Sequence, residues 1–259
     1  MCKFSSNLSM MFNEVPFIER FARASGTGFK GVEYLFPYSE SVERLTALLQ
    51  EYQLTQVLFN MPAGNWDSGE RGIACLPGRE TEFADGVHKA LEYALSLECK
   101  QLHVMSGKLD ERFTLEQQKE CFIANIQYAA DIIAKFDIKI LIEPINIFDI
   151  PDYFLTGQRQ AESLLKDINR KNVFIQLDLY HCQIMEGNLL QTIERMWGKF
   201  NHIQIASVPG RNEPDIGEIN YFWLFKKLDE MGYQGWVGCE YYPASSTEAG
   251  LGWLAKAQS

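Results

Sequence analysis

Four polar side chains lie late in four apolar runs of the second half of the chain. Glu143 ends Lys139-Ile-Leu-Ile-Glu143-Pro144, and Asp178 ends Val173-Phe-Ile-Gln-Leu-Asp178. Gln204 sits in His202-Ile-Gln204-Ile-Ala206, and Glu240 in Trp236-Val-Gly-Cys-Glu240-Tyr241. A carboxylate at the end of a buried strand is costly unless it is paired or ligates a metal. Three of them on neighbouring strands would also repel one another. A bound divalent cation answers both problems. An all-oxygen donor set selects a hard ion, Mg²⁺ first and Mn²⁺ second, over zinc. Taken singly, each residue has a structural alternative: a helix cap, a partner for an arginine, or an exposed side chain. Their shared position at one end of successive strands favours the metal.

That position requires a scaffold. Runs rich in Val, Ile, Leu and Phe with few charges recur at 3–8, 31–36, 55–60, 101–105, 139–144, 173–178, 202–206 and 236–241. Such composition suits strands buried on both faces. Amphipathic segments with helical spacing lie between them. They include Phe17-Ile18-x-x-Phe21-Ala22 and Leu45-x-x-Leu48-Leu49, then 80–97, 115–136, 158–169, 189–200, 223–231 and a short last helix after Thr247. Strand–helix alternation predicts a parallel sheet with covering helices, and eight units predict a closed (β/α)8 barrel. No linker or low-complexity tract interrupts the pattern, so residues 1–259 are expected to form one domain. In such a barrel the active site is built at the C-terminal ends of the strands, where the four polar residues fall.

The bulk properties fit. The 259 residues are 46% apolar and 22% charged, as in a globular soluble protein. A net charge of −10 disfavours nucleic acid as a partner. No apolar run reaches the roughly 20 residues of a membrane span, and the first residues have no apolar core of a signal peptide. The six cysteines form no Cys-x-x-Cys pair. They are expected to be reduced, in a cytoplasmic protein. Gly26-Thr-Gly28-Phe-Lys-Gly31 matches a dinucleotide-binding spacing, but its glycines follow a helix and open a strand. Phosphate loops have the opposite context, so these glycines are expected to end a helix.

Longer motifs carry a resemblance. Asp178-x-x-His181, His202-x-Gln204-Ile-Ala-x-x-Pro-Gly-Arg211 and Gly217-Glu-Ile-Asn-Tyr221 resemble the hydroxypyruvate isomerase family of xylose isomerase-like barrels. Asn7-Leu-Ser-Met-Met-Phe-x-Glu-Val-Pro-Phe17, Leu76-Pro-Gly-Arg-Glu80 and Asn172–Asp178 look most like its 2-oxo-tetronate isomerase branch. The similarity extends over essentially the whole chain. It implies that Glu143 and Glu240 are the acid/base pair and, with Asp178 and Gln204, the metal ligands. Many members of the superfamily carry His at the place of Gln204, which makes this site harder. The resemblance also implies that His181 contacts substrate.

Arg211 is expected to clamp a substrate carboxylate, the alternative being a surface salt bridge to Glu213 or Asp215. Glu218 is expected to cap or orient Arg211, and Trp66 and Phe12 to wall the pocket or fill the core. The substrate would be a small sugar acid or ketose, isomerised by proton transfer between adjacent carbons through an enediolate. A ketose 3-epimerase, a metal-assisted hydride shift and a non-catalytic sugar-binding barrel are the competing readings. A zinc-cluster endonuclease is disfavoured, since only His88, His103, His181 and His202 are available as nitrogen ligands.

Overall fold

Eight short parallel strands close on one another in chain order in the computed structural model, which describes residues 1–258. They are β1 (Lys3–Asn7), β2 (Gly31–Tyr34), β3 (Thr55–Asn60), β4 (Gln101–Val104), β5 (Lys139–Ile142), β6 (Val173–Asp178), β7 (Phe200–Ile205) and β8 (Trp236–Cys239). The barrel closes where β1 pairs with β8, Lys3 opposite Trp236 and Ser6 opposite Cys239. Two of the expected strands match residue for residue, five end one or two residues early, and β7 starts two residues before and ends one before the expected run.

Parallel neighbours need a crossover, and helices supply it. They are α1 (Arg20–Gly26), α2 (Val42–Glu51), α3 (Glu80–Ser96), α4 (Leu115–Ile133), α5 (Gln158–Ile168), α6 (Leu179–Met185), α7 (Leu189–Arg195), α8 (Tyr221–Glu230), α9 (Thr247–Gly250) and α10 (Gly252–Ala257). Local chemistry starts several of them. Ser41 accepts a hydrogen bond from the Arg44 amide before α2, and Thr114 with Gln117 forms a reciprocal capping box on α4. The helix expected over 189–200 stops at Arg195, because Phe200 already belongs to β7. α6 was not expected. It starts immediately after β6, with Asp178 as its cap.

Side-chain alternation along each strand sorts the two faces. In β6, Val173, Ile175 and Leu177 are buried apolar positions, while Gln176 and Asp178 alternate with them. The same period in β7 sets Ile203 and Ile205 against His202 and Gln204. Apolar residues thus pack against the helices, and the barrel interior is largely polar. A small separate cluster of Val57, Leu58 and Leu141, with Phe174 and Trp236 against it, lies towards the strand starts. Gly31 has no room for a side chain there, since a Cβ would come within 2.7 Å of both Trp236 and Val57. α1 ends at Gly26 and Gly28 takes φ +98°, so this glycine run ends a helix and turns into β2 as its context implied.

The loop after β3 returns to the barrel rim. Gly72 bonds there to the Ala63 carbonyl and bridges Ser106. Its φ is +108°, and a Cβ would lie 2.3 Å from the Met105 carbonyl oxygen. Replacing Gly72 by Ala is therefore expected to destabilise the fold by about 2–4 kcal/mol, read as a lower guanidinium midpoint with unchanged slope.

Candidate active site

The four strand-end carboxylates and amides do not arrive alone. Glu143, Asp178, His181 and Glu240 each present a ligand atom within 4.8 Å of the others, and all four are buried. Glu143, His181 and Glu240 line a cavity of about 460 Å³ whose wall also includes Asn60, Trp66, Arg71, His103, Asp149 and Arg211, and Asp178 lies buried behind them. This lies at the C-terminal end of the strands, as expected for a barrel enzyme.

Each side chain is held from outside the cluster. Asp178 turns the chain from β6 into α6: one oxygen accepts from the Tyr180 amide at 2.7 Å and the His181 amide at 3.4 Å. That cap fixes His181 in the first helical turn. The Asn146 carbonyl oxygen accepts from the Phe148 and Asp149 amides, so its Nδ2 faces the other way and donates to His181 Nδ1 at 2.7 Å. Neutral His181 therefore carries its proton on Nε2, an assignment made from the network. Burial, then Arg211 and His103, push the His181 imidazole well below its ordinary pKa and keep it neutral. It is a donor at this tautomer.

Arg211 follows β7 in the left-handed region, φ +52°. Its guanidinium donates to Glu240 Oε2 at 2.8 Å and to Asp149 Oδ2 at 3.0 Å, and stacks on Tyr180 at 4.8 Å. Neither Glu213 nor Asp215 is its partner, and Glu218 does not orient it. Glu213 accepts from the Ala244 amide, and Glu218 accepts from Gln183. Glu240 also accepts from Asn7 Nδ2 at 3.0 Å. Trp66 lines the cavity, whereas Phe12 is buried and outside it.

Gln204 is Asp178's register partner on β7. Its amide bonds below the cluster, accepting from Gln176 and donating to Glu33 Oε1 at 2.8 Å. Glu33 is the hub of a buried network the sequence reading did not include. It accepts from Ser5 at 2.7 Å and pairs with His202 at 2.9 Å. Burial opposes its charge, but His202, Gln204 and Ser5 hold its carboxyl below the usual range. Gly238 makes room for it, since a Cβ there would lie 2.4 Å from the carboxylate. His103, counted in the sequence only among possible nitrogen ligands, also faces the site. Its Nδ1 contacts Asn60 at 3.0 Å, and its Nε2 lies 3.6 Å from Glu143. Reading the ends of β1 to β4 as closely as those of β5 to β8 would have raised Asn7, Glu33, Asn60 and His103.

The electrostatics fit a cation. Burial first, then Glu240 and Asp178, push the Glu143 carboxyl well above its ordinary pKa. Burial pushes Glu240 up to about 8 and Asp178 up to about 6, against the pull of Arg211. Among the described residues, Glu143 Oε1 and Asp178 Oδ2 are buried with no hydrogen-bond partner. Uncompensated buried acceptors of this kind match the donor set of a divalent ion.

Fold and site together define a class. The chain belongs to the xylose isomerase-like TIM-barrel family, whose model matches residues 21–257. Among its relatives, the hydroxypyruvate isomerase of Escherichia coli (strain K12) is 50% identical over 98% of each chain. The 2-oxo-tetronate isomerase of Haemophilus influenzae is 47% identical over 99% of each. These relatives are isomerases, and the chain is an enzyme of that class. A crystal structure described as an AP endonuclease, family 2, from Brucella melitensis has 54% identity and a TM-score of 0.97 over 99% of each chain.

Proposed function

We propose that this chain isomerises small hydroxy-keto acids, of the hydroxypyruvate or 2-oxo-tetronate type, by moving a proton between adjacent carbons. The observation that carries the reading is the buried, charge-frustrated cluster of Glu143, Asp178 and Glu240, two of which, Glu143 and Glu240, line one small cavity. The names and whole-length identity of the curated relatives support the substrate class. Glu143, Asp178 and Glu240 would hold a divalent ion, Mg²⁺ or Mn²⁺; Gln204 of the adjoining strand could join them as fourth donor only by turning its carbonyl away from Gln176. When bound, the ion supplies Lewis-acid stabilisation of negative charge on substrate oxygens.

The protein groups do the rest. Glu143 and Glu240 lie on non-adjacent strands and flank the cavity, one to remove the proton and the other to return it. Arg211 keeps the Glu240 carboxylate aimed at the site and matches its charge. His181, with its proton on Nε2, donates to a substrate oxygen as negative charge develops on it. Free, mostly buried cysteines suit a reducing cytoplasm. Among the described residues, no helix is long and apolar enough to cross a membrane.

The test is a panel of 2-oxo acids and neutral ketoses with added Mg²⁺ or Mn²⁺, products read by NMR, in H₂O and D₂O. Carbonyl migration in the acids with solvent deuterium at the receiving carbon is expected. Inversion at a ketose C3 without carbonyl migration would establish a 3-epimerase instead. Carbonyl transfer without any deuterium would favour a hydride shift. Binding without conversion would leave a sugar-binding barrel. Strand cleavage of abasic DNA is not expected from a chain of net charge −10.

A further inference from the structure

We infer that Arg71 binds the substrate's carboxylate, an inference resting on the acid-substrate reading above. Two guanidinium groups line the cavity, those of Arg211 and Arg71. The first is already matched by two carboxylates, Glu240 and Asp149. The second has none. Arg71 Nη1 donates to the backbone carbonyls of Trp66 at 3.1 Å and Glu70 at 2.7 Å. Its guanidinium sits over the Trp66 ring, 3.9 Å from the centroid. Among the described residues it forms no ion pair, although an acidic residue precedes it in sequence.

That acidic neighbour is committed elsewhere. Glu70 forms a two-oxygen pair with Arg79, at 2.8 and 3.3 Å, and also accepts from the Asn65 amide. Arg79 belongs to the Leu76-Pro-Gly-Arg-Glu80 motif, so that motif acquires a role: it withdraws Glu70 from Arg71. The loop is held at its other end by Gly72, bonded to Ala63 and packed on the Met105 backbone. Stacking on Trp66 and two backbone carbonyls fix the plane of the guanidinium. Its remaining N–H edge is left for a ligand. A planar cation held this way, half-buried at the mouth of a small cavity, suits bidentate capture of a carboxylate. Glu143 and Glu240 line the same cavity as Arg71, so an acid anchored at Arg71 would have its carbonyl end in the space they face. The substrate class this selects is an anionic hydroxy-keto acid over its neutral ketose counterpart.

The test compares wild type, Arg71→Met and Arg71→Lys as Mn²⁺-loaded protein. Arg71→Met keeps an apolar stem on Trp66 and removes the charge. Hydroxypyruvate and a neutral ketose, erythrulose, serve as substrates, and binding of a non-reacting carboxylate, oxamate, is measured by calorimetry. Arg71→Met is expected to raise KM for hydroxypyruvate and Kd for oxamate about 10- to 100-fold, with a much smaller change in kcat. Arg71→Lys should recover part of the loss. Unchanged KM and Kd in Arg71→Met, or an equal loss on both substrates with kcat falling alongside, would overturn the assignment. Thermal unfolding of each variant separates misfolding from lost binding, and a misfolded Met variant leaves Arg71→Lys to decide on Kd alone. If wild type itself turns over erythrulose and not hydroxypyruvate, the acid-substrate reading fails, whatever Arg71 does.

Discussion

Replacing Glu240 by Gln is expected to lower kcat by about 10³-fold or more while the barrel stays folded. The size follows from two losses. The amide cannot exchange a proton with a carbon acid, and it is a poorer donor to a hard cation than a carboxylate. The fold survives because the replacement is nearly isosteric and the lost interactions are few. Asn7 can still donate to the remaining oxygen, and Arg211 keeps Asp149. Removing one of three crowded carboxylates also relieves repulsion on Glu143, which Glu240 raises more than Asp178 does.

A half-reaction sharpens the result. If Glu143 is the base for one carbon, Glu240→Gln should still exchange that carbon's proton with D₂O while failing to deliver it to the neighbour. The mirror variant, Glu143→Gln, should exchange from the other substrate isomer only. Both signals are read by NMR on the substrate pool. Wild-type turnover in either variant would sink the two-carboxylate assignment, and exchange in neither would point to a hydride shift.

The barrel itself was legible because strands buried on both faces read as unbroken apolar runs, and because eight repeats leave few other folds. The polar interior was harder to see. Glu33 lies in Gly-Val-Glu-Tyr, a run that resembles many half-exposed strands. Gly238, two positions before Glu240 on another strand, is the sequence counterpart of the burial of Glu33, since a Cβ there would meet the carboxylate. α6 hid because its first four residues are all buried, which erases the amphipathic period that marks a helix. Arg211 illustrates the limit most directly. Local reasoning offered Glu213, Asp215 and Glu218 as partners, all within seven residues. Its actual partners, Asp149 and Glu240, come from loops after β5 and β8, and only the closed barrel brings those ends together. Composition and period identify elements. Pairings across a closed sheet depend on register, which one sequence specifies without displaying.

The metal-free protein should lose stability as pH rises from about 6.5 to 8, and a divalent cation should reverse the trend. Asp178 and Glu240 hold their protons to about 6 and about 8, and Glu143 is raised as well. In the unfolded chain these groups ionise near pH 4. Over that interval the native state binds more protons than the unfolded state, so the slope of unfolding free energy against pH is negative. His103 and His181 work the other way. Burial lowers both, so the unfolded state takes up protons that the native state refuses, and stability rises with pH until the unfolded imidazoles, half charged near 6.5, are neutral at about 7.5, a gain of about 0.4 kcal/mol each above 6.5. Glu33, depressed below the ordinary carboxylate range, loses its contribution only in acid. Between 6.5 and 8 the raised glutamates therefore dominate. One such proton corresponds to a loss of about 2 kcal/mol across the interval. A divalent ion must displace those protons, so Mn²⁺ should raise the unfolding midpoint more at pH 8 than at pH 6.5. Denaturant unfolding of chelator-treated protein at the two pH values, with and without Mn²⁺, reads both effects. A flat or rising apo profile would show that the glutamates are not held protonated by burial. An equal Mn²⁺ gain at both pH values would show that the ion binds away from them. Glu240→Gln supplies the internal check, because removing a raised carboxyl should flatten the apo slope even as it removes turnover.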